Sequence, residues 1–358
     1  MNLAFQNLIS SFRSHQIDAF LVTKDVNIRY LTGFPASDSW LLVTRKKIFY
    51  ITDFRYILEA KKFLKEIVVH RYVHSVFQSI ADLTGQGGVK TLGVDEQHVS
   101  LAFFNRLKKA LSPKIRIKLT SGLVEKLREI KTVAELKVMR QAIKLNLEIY
   151  HRVQGFLKVG MTEKEILNRL ERFIQVKGVG FSFAPIIASG PNACFPHAKV
   201  SDRKLKNNES VLIDVGVDIN GYKSDLTRIF FLGRIPPLLI NICNIVKEAQ
   251  QRAIAKIRAG ARACDVDAQA RNYLDNQKLG KFFGHSLGHG VGLEIHEAPR
   301  LSSQSKAVLE AGHVVTVEPA VYIPGRFGIR VEDMVLVKED GCEILSRDPA
   351  GGGVPTIF

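Results

Sequence analysis

Over the first third of the chain, short apolar runs alternate with stretches patterned as helices. The runs Ala19–Thr23, Trp40–Thr44, Ile48–Thr52, Ile67–Tyr72, Thr91–Val94 and Ile115–Leu119, several of them rich in β-branched residues, predict strands. Phe54–Leu64 and Leu101–Leu111 carry helical spacing between them, and Tyr30–Trp40, with Gly33 and Pro35, reads as a loop. Leu3, Leu8, Ile9 and Phe12 fall on one side of an amphipathic helix expected over Met1–Gln16. Strand and helix in alternation predict a layered α/β domain over residues 1–121, in which no metal cluster or nucleophile–base pair stands out.

Near Ser121 the period changes. Thr132-Val-Ala-Glu135 is a capping box, followed by Leu136, Met139, Ile143, Leu147 and Tyr150 at helical spacing, with Gly160 as the expected stop. A second box, Thr162-Glu-Lys-Glu165, opens a helix with Ile166, Leu167, Leu170, Phe173 and Ile174 on one face. A third helix is expected after Pro236-Pro237, and the remainder reads as strand and glycine-rich loop. Residues 122–358 are therefore expected to form a second domain of α+β class, and 358 residues are too many for one core of ordinary size.

Composition adds three constraints. The N-terminus lacks the uninterrupted apolar segment and small-residue cleavage site of a signal peptide, and the greasiest stretch, Ile229–Val246, is broken by Gly233, Arg234, Pro236 and Pro237. Cys194, Cys243, Cys264 and Cys342 are scattered without a Cys-x-x-Cys pair, which fits neither a disulfide framework nor a thiolate metal site. A cytoplasmic location is the expectation. The formal charge of +16 is spread over both halves with few interleaved aromatics, as in a solvated basic surface rather than a nucleic-acid track.

The chemistry concentrates in two hairpins and one histidine-rich loop. In Val211–Phe230, Asn220-Gly221 supplies a two-residue type I′ turn, so Ile219 faces Tyr222 and Asp214 faces Thr227. Asp225 then lies diagonally from Asp214 on the same face, about 7–8 Å away or less. A hairpin centred on Gly325 sets Glu318 opposite Glu332, and Pro319 implies an interrupted ladder beside it. Like charges facing across a ladder repel, and a cation between them reverses the sign. Two hairpins with two carboxylates each look like one design used twice. His285, His289 and His296 crowd the glycine-rich stretch Gly284–Glu297, and His197 follows Phe195-Pro196. Oxygen-rich ligands with imidazole and no thiolate favour Mn²⁺, Co²⁺, Fe²⁺ or Zn²⁺. Carboxylates able to bridge suggest two ions about 3.5–4 Å apart.

These residues resemble the pita-bread metallopeptidase family, which includes methionine aminopeptidase, aminopeptidase P, prolidase and creatinase. The resemblance rests on Pro196-His197, Ile213-Asp214 through Ser224-Asp225-Leu-Thr-Arg228, Gly288-His289-Gly-Val-Gly292, His296-Glu297, Thr316-Val-Glu318-Pro319 and Arg330-Val-Glu332-Asp333. In the first half, Asn27-Ile-Arg-Tyr-Leu-Thr-Gly33, Thr52-Asp-Phe-Arg-Tyr56 and the junction Leu127-Arg-Glu-Ile-Lys131 resemble the creatinase-type domain of Xaa-Pro peptidases. The resemblance implies a C-terminal pita-bread domain behind a creatinase-like N-terminal domain. It implies two divalent metal ions, Mn²⁺ foremost, on Asp214, Asp225, His289, Glu318 and Glu332.

By the same resemblance a water-derived nucleophile attacks the bond between an N-terminal residue and proline, with Glu318 as proton acceptor. His197, His285 and His296 line the substrate site, with His296 on the scissile carbonyl or developing oxyanion. Tyr322 and Arg330 orient Glu318 and Asp225. Ala320 and His313 depart from the family pattern, and His313 is expected on the surface. Arg300, four residues after His296, is expected at the rim, either clamping a substrate carboxylate or simply solvated. Aminopeptidase P and Xaa-Pro dipeptidase specificities both remain open, and a homodimer is expected. The competing reading is a catalytically weak relative that binds nucleic acid through its basic surface. A metal-free creatinase is the third.

Overall fold

The computed structural model describes residues 3–348. The chain forms two compact units, Met1–Arg128 and Glu129–Phe358.

The first unit is built around one six-stranded sheet. Its elements in chain order are α1 (Leu3–Ser10), β1 (Ala19–Val22), α2 (Asp25–Thr32), β2 (Trp40–Thr44), β3 (Ile48–Thr52), α3 (Ile57–Phe63) and β4 (Val68–Arg71). They continue with α4 (Val76–Gln86), β5 (Thr91–Asp95), α5 (Leu101–Ala110), β6 (Arg116–Thr120) and α6 (Leu123–Glu129). The strand order is β4-β3-β2-β1-β5-β6, with β1–β2 and β2–β3 antiparallel and the outer pairs parallel. Each expected strand lies within a residue or two of an observed one. The expected loop from Tyr30 is shorter, because α2 runs to Thr32 and stops at Gly33 in the left-handed conformation. The leading helix is also shorter, ending at Ser10 rather than Gln16. Leu21, Leu42 and Ile51 on one face of the sheet, and Phe20, Leu41 and Tyr50 on the other, are buried under separate apolar clusters.

In the second unit a helix pair precedes an antiparallel sheet, and then the pattern recurs. The first round comprises α7 (Val133–Phe156), α8 (Glu163–Lys177), β7 (Gly180–Phe181), β8 (Ile186–Ser189), β9 (Glu209–Val215), β10 (Val217–Ile219), β11 (Tyr222–Lys223) and β12 (Leu226–Leu232). The second comprises α9 (Pro237–Lys256), α10 (Ala263–Asn276), β13 (Gly288–Gly290), β14 (Glu297–Leu301), β15 (Val314–Val317), β16 (Ala320–Ile323), β17 (Phe327–Arg330), β18 (Asp333–Lys338) and β19 (Gly341–Ile344). Both capping boxes close with reciprocal bonds. Two expectations need correction. Helix α7 ends at Phe156, four residues before Gly160, and α10 occupies sequence expected to be strand and loop. Helix α10 buries Ala263, Val266, Ala270 and Leu274, a stripe of small residues too weakly apolar to announce itself.

The two hairpin registers are those the turns dictate. Asn220 and Gly221 both have positive φ, Ile219 pairs Tyr222, and Asp214 pairs Thr227. In the second hairpin Ala320 pairs Arg330 and Val317 pairs Asp333, a register in which Glu318 and Glu332 face one another.

Candidate metal centre

Three of the five expected ligands stand where a ladder is interrupted. The first hairpin is split between two sheets, β12-β9-β8 and β11-β10-β7, and Asp225 lies in the gap between β11 and β12. Its N–H goes to Met334 Sδ at 3.3 Å. Pro319 cannot donate to a ladder, so the second hairpin breaks between β15 and β16 and again between β17 and β18. The freed backbone finds partners elsewhere: Glu318 N–H donates to the Leu287 carbonyl at 2.8 Å, and Glu332 N–H to the Thr227 carbonyl at 3.3 Å. The Thr227–Glu332 bridge thereby ties one hairpin to the other.

His289 enters from β13. This strand approaches β15 so closely that a Cβ on Gly288 would sit 2.0 Å from the Thr316 carbonyl oxygen, so the Gly-His-Gly sequence is a steric requirement. His289 Nδ1 lies 3.1 Å from the Gly290 carbonyl, which makes Nδ1 the protonated nitrogen and leaves Nε2 as an acceptor. Nε2 faces Asp225 Oδ2 at 3.6 Å and Glu318 Oε1 at 3.5 Å. Ligand atoms of Asp225, His289 and Glu332 all lie within 4.8 Å of one another.

The electrostatics are those of a site short of positive charge. Burial pushes the Asp225 carboxyl well above the usual range, and Asp214 and Glu318 push it further. Burial does the same to Glu332, reinforced by Asp225, Glu318 and Asp214. Glu318 is pushed up to about 8 by burial, with Arg330 opposing and Asp214 adding to the rise. Burial also raises Asp214, against the pull of Arg330. Asp214 Oδ1 is buried and accepts no hydrogen bond. His289 is driven down to about 4 by burial and by His296. A protein does not hold three buried carboxylates and a half-buried fourth, one orphaned oxygen and a neutral imidazole together without a counter-charge. The donor set fits divalent metal.

The surrounding side chains differ in part from expectation. Arg330 donates to Asp214 Oδ2 at 2.5 Å rather than to Asp225, and to the Tyr322 hydroxyl at 2.6 Å. Tyr322 faces His285 Nε2 at 3.2 Å rather than Glu318, and His285 Nδ1 reaches the Ser286 carbonyl at 2.8 Å. The chain Arg330–Tyr322–His285–Ser286 suits a neutral imidazole, and burial drives His285 down to about 4. Burial pushes the Tyr322 phenol up to about 12. The His289 and His296 rings meet edge to face at 4.3 Å. His197 and His296 are exposed. Arg300 is exposed too, and donates from Nε to Ser286 Oγ at 3.1 Å. His313, expected on the surface, is 2% exposed: Nδ1 accepts the Glu310 N–H at 3.0 Å, and Nε2 faces Glu129 at 3.5 Å.

Several contributors escaped the sequence reading. Thr227 donates to Glu332 Oε2 at 2.8 Å, and Gln250 on α9 donates to the carbonyls of Val317 at 2.9 Å and Val331 at 3.3 Å, the residues just before Glu318 and Glu332. The available signal for Gln250 was a polar residue within the stripe Leu239, Ile242, Cys243, Val246, Ala249 and Ala253. A second cluster, Asp95, His98 and Glu125, lies in the first unit, where none was expected. Most of its donor atoms are already engaged, Glu125 Oε2 being the exception. Asp95 accepts the Gln97 and Gly122 N–H groups, Glu125 takes Asn27 and His98, and the Lys24 ammonium lies 3.8 Å from Glu125.

Comparison with known proteins follows the two units. The model of metallopeptidase family M24 matches residues 137–339, and that of the creatinase/prolidase N-terminal domain matches residues 5–130. An uncharacterized peptidase of Bacillus subtilis is 34% identical over 97% of this chain and 98% of its own. A Xaa-Pro dipeptidase of Pyrococcus horikoshii is 30% identical over 97% of each chain. Among solved structures, the Xaa-Pro dipeptidase from Bacillus anthracis superimposes with a TM-score of 0.93 at 36% identity, covering 97% of each chain. The X-Pro aminopeptidase from Thermotoga maritima gives 0.88 at 33%, covering 97% of this chain and 99% of that one.

Proposed function

Because this chain belongs to metallopeptidase family M24, we propose that it hydrolyses the bond between an N-terminal residue and proline with two divalent metal ions held by Asp214, Asp225, His289, Glu318 and Glu332. The family establishes a metal-dependent peptidase with a pita-bread catalytic domain. The Xaa-Pro specificity draws on the names of the relatives, which divide between dipeptidases and aminopeptidases. Mn²⁺ is the proposed metal, since the donors are mostly carboxylate oxygens with one imidazole. A homodimer and a cytoplasmic location belong to the same proposal. Among the described residues no helix is long and apolar enough to cross a membrane. Nothing on the site favours the nucleic-acid reading.

The observation that carries the proposal is the buried acidic cluster facing a neutral His289, with Asp214 Oδ1 left without a partner. Divalent ions bound there would supply Lewis-acid activation of water and of the scissile carbonyl. Glu318 takes the proton from the attacking water and returns it to the departing proline nitrogen. His296, exposed and beside His289, donates to the oxygen that becomes negative. Burial keeps His285 neutral, and the Ser286 carbonyl fixes its tautomer, so it contributes a hydrogen-bonding edge and no charge. Arg330 holds Asp214 and Tyr322 in place. An Xaa-Pro bond has no N–H at the proline nitrogen, so recognition must rely on the ring and the free amino terminus.

The test is hydrolysis of Ala-Pro and of longer Ala-Pro peptides by the Mn²⁺-loaded protein, with metal content measured in parallel. Asp225→Asn should abolish turnover and metal binding while the fold is retained. Near-normal turnover with two metals still bound per chain would refute the assignment.

A further inference from the structure

His197 and His296 are the exposed histidines of the proposed substrate site; the His296 ring packs edge to face on His289, whereas the position of His197 is set by the backbone that carries it. That backbone is irregular. After β8 the chain makes a 3₁₀ turn over Gly190–Cys194, passes through Phe195, Pro196 and His197, and joins no named strand until β9 begins at Glu209. A segment of this kind keeps one conformation only if its polar groups are tied down elsewhere.

Both feet of the loop are tied to a single side chain. Glu163, at the start of α8, is 0% exposed. Its Oε1 accepts the Ser189 N–H and hydroxyl, each at 2.8 Å, and the Asn192 amide at 3.1 Å. Its Oε2 accepts the Ser201 N–H at 3.1 Å and hydroxyl at 2.7 Å. The cap of α8 needs none of this, because Thr162 and Glu165 complete the capping box between themselves. The charge is tolerated because it sits at a helix N-terminus and because Arg203, paired with Glu209, donates to Ser189 Oγ at 2.6 Å. At the apex, Arg330 Nη1 donates to the Pro196 carbonyl at 3.2 Å.

We propose that Glu163 is the residue that positions His197, by clamping Ser189 and Ser201 at the two ends of the loop whose apex presents that imidazole to the substrate site. Glu163 touches none of the proposed metal ligands, so its action is separable from metal binding. The proposal rests on the reading of His197 as a substrate-site residue.

Glu163→Gln keeps the volume but replaces one acceptor oxygen with a donor that faces the Ser189, Asn192 or Ser201 donors. In the Mn²⁺-loaded enzyme it should leave metal stoichiometry and affinity unchanged and lower kcat/KM for Ala-Pro peptides by about tenfold or more. The same change made in a His197→Ala background should cost less than about twofold, because the residue acts through His197. Ser201→Ala, which removes one hydroxyl and keeps the backbone donor, should show a smaller loss that collapses in the same way, and it carries the test if Glu163→Gln does not fold. An activity-independent readout is the His197 ring resonance in histidine-labelled protein, identified by its loss in His197→Ala. It should broaden or shift in Glu163→Gln while the His285 and His289 resonances stay. Equal losses in both backgrounds, or an unchanged His197 resonance, would overturn the proposal. Absence of Xaa-Pro hydrolysis in the unaltered enzyme, with the resonance still responding, would overturn the functional reading instead.

Discussion

Lys131→Met should destabilise the second unit severely, for a reason visible in one pair of atoms. The Lys131 ammonium is 3.2 Å from Glu297 Oε2, and the two side chains are 1% and 6% exposed. Lys131 also donates to the Glu129 carbonyl at 3.1 Å, and Glu297 Oε1 accepts the Glu294 N–H at 3.0 Å. Methionine matches the lysine stem in length but removes the cation that faces Glu297 Oε2, in a site that water barely reaches. Breaking a buried pair from one side costs about 3–5 kcal/mol. At about 2–4 °C per kcal/mol for a unit of this size, the unfolding midpoint should fall by roughly 6–20 °C. Calorimetry of the full chain in chelator measures it. The transition to read is the one that Mn²⁺ raises in the unaltered protein, since every proposed ligand lies in the second unit. Removing both charges, with Lys131→Met and Glu297→Gln together, should restore most of the loss, to within about 1–2 kcal/mol of the unaltered chain. A shift under about 2 °C for Lys131→Met, or a double variant as unstable as the sum of the singles, would refute the reasoning.

Three further outcomes follow from the site. His296→Ala should keep its metal and lose about 10²–10³-fold in kcat, the usual cost of one oxyanion donor; loss of metal instead would make it a ligand. His285, with a folded pKa of about 4 against 6.5 unfolded, stabilises the chain fully above pH 6.5 and progressively less as pH falls toward 4. About 2 kcal/mol should be lost between pH 7 and pH 5 from this group, so His285→Gln should show a correspondingly shallower acid limb in urea titrations of metal-free protein; an identical limb would show that the ring is not held neutral. Arg300→Ala should raise KM for Xaa-Pro dipeptides about tenfold while sparing tripeptides, if its guanidinium holds the terminal carboxylate; equal effects on both lengths would leave it a solvated side chain.

The sequence by itself determined what neighbours in the chain decide. Asn220-Gly221 set the register that pairs Asp214 with Thr227, and the turn around Gly325 set the one that brings Glu318 opposite Glu332. Thr162 and Glu165 set the start of α8. A turn or cap is settled by dihedral preferences and hydrogen bonds spanning a few residues, which any reader of the chain can follow. The weakly apolar helix α10 was missed because its burial comes from what packs on it rather than from its own stripe. Tertiary structure alone decided that Arg330 holds Asp214 rather than Asp225, that Lys131 meets Glu297, that His313 is buried, and that Glu163 closes the loop bearing His197. These partners lie 26 to 184 residues apart or face surfaces formed only on folding, and a short polar pattern carries no record of which distant group will arrive. Their pairing depends on how the helix pairs settle on the sheets of the second unit, and a buried charge accepts whichever partner that packing delivers within hydrogen-bond reach.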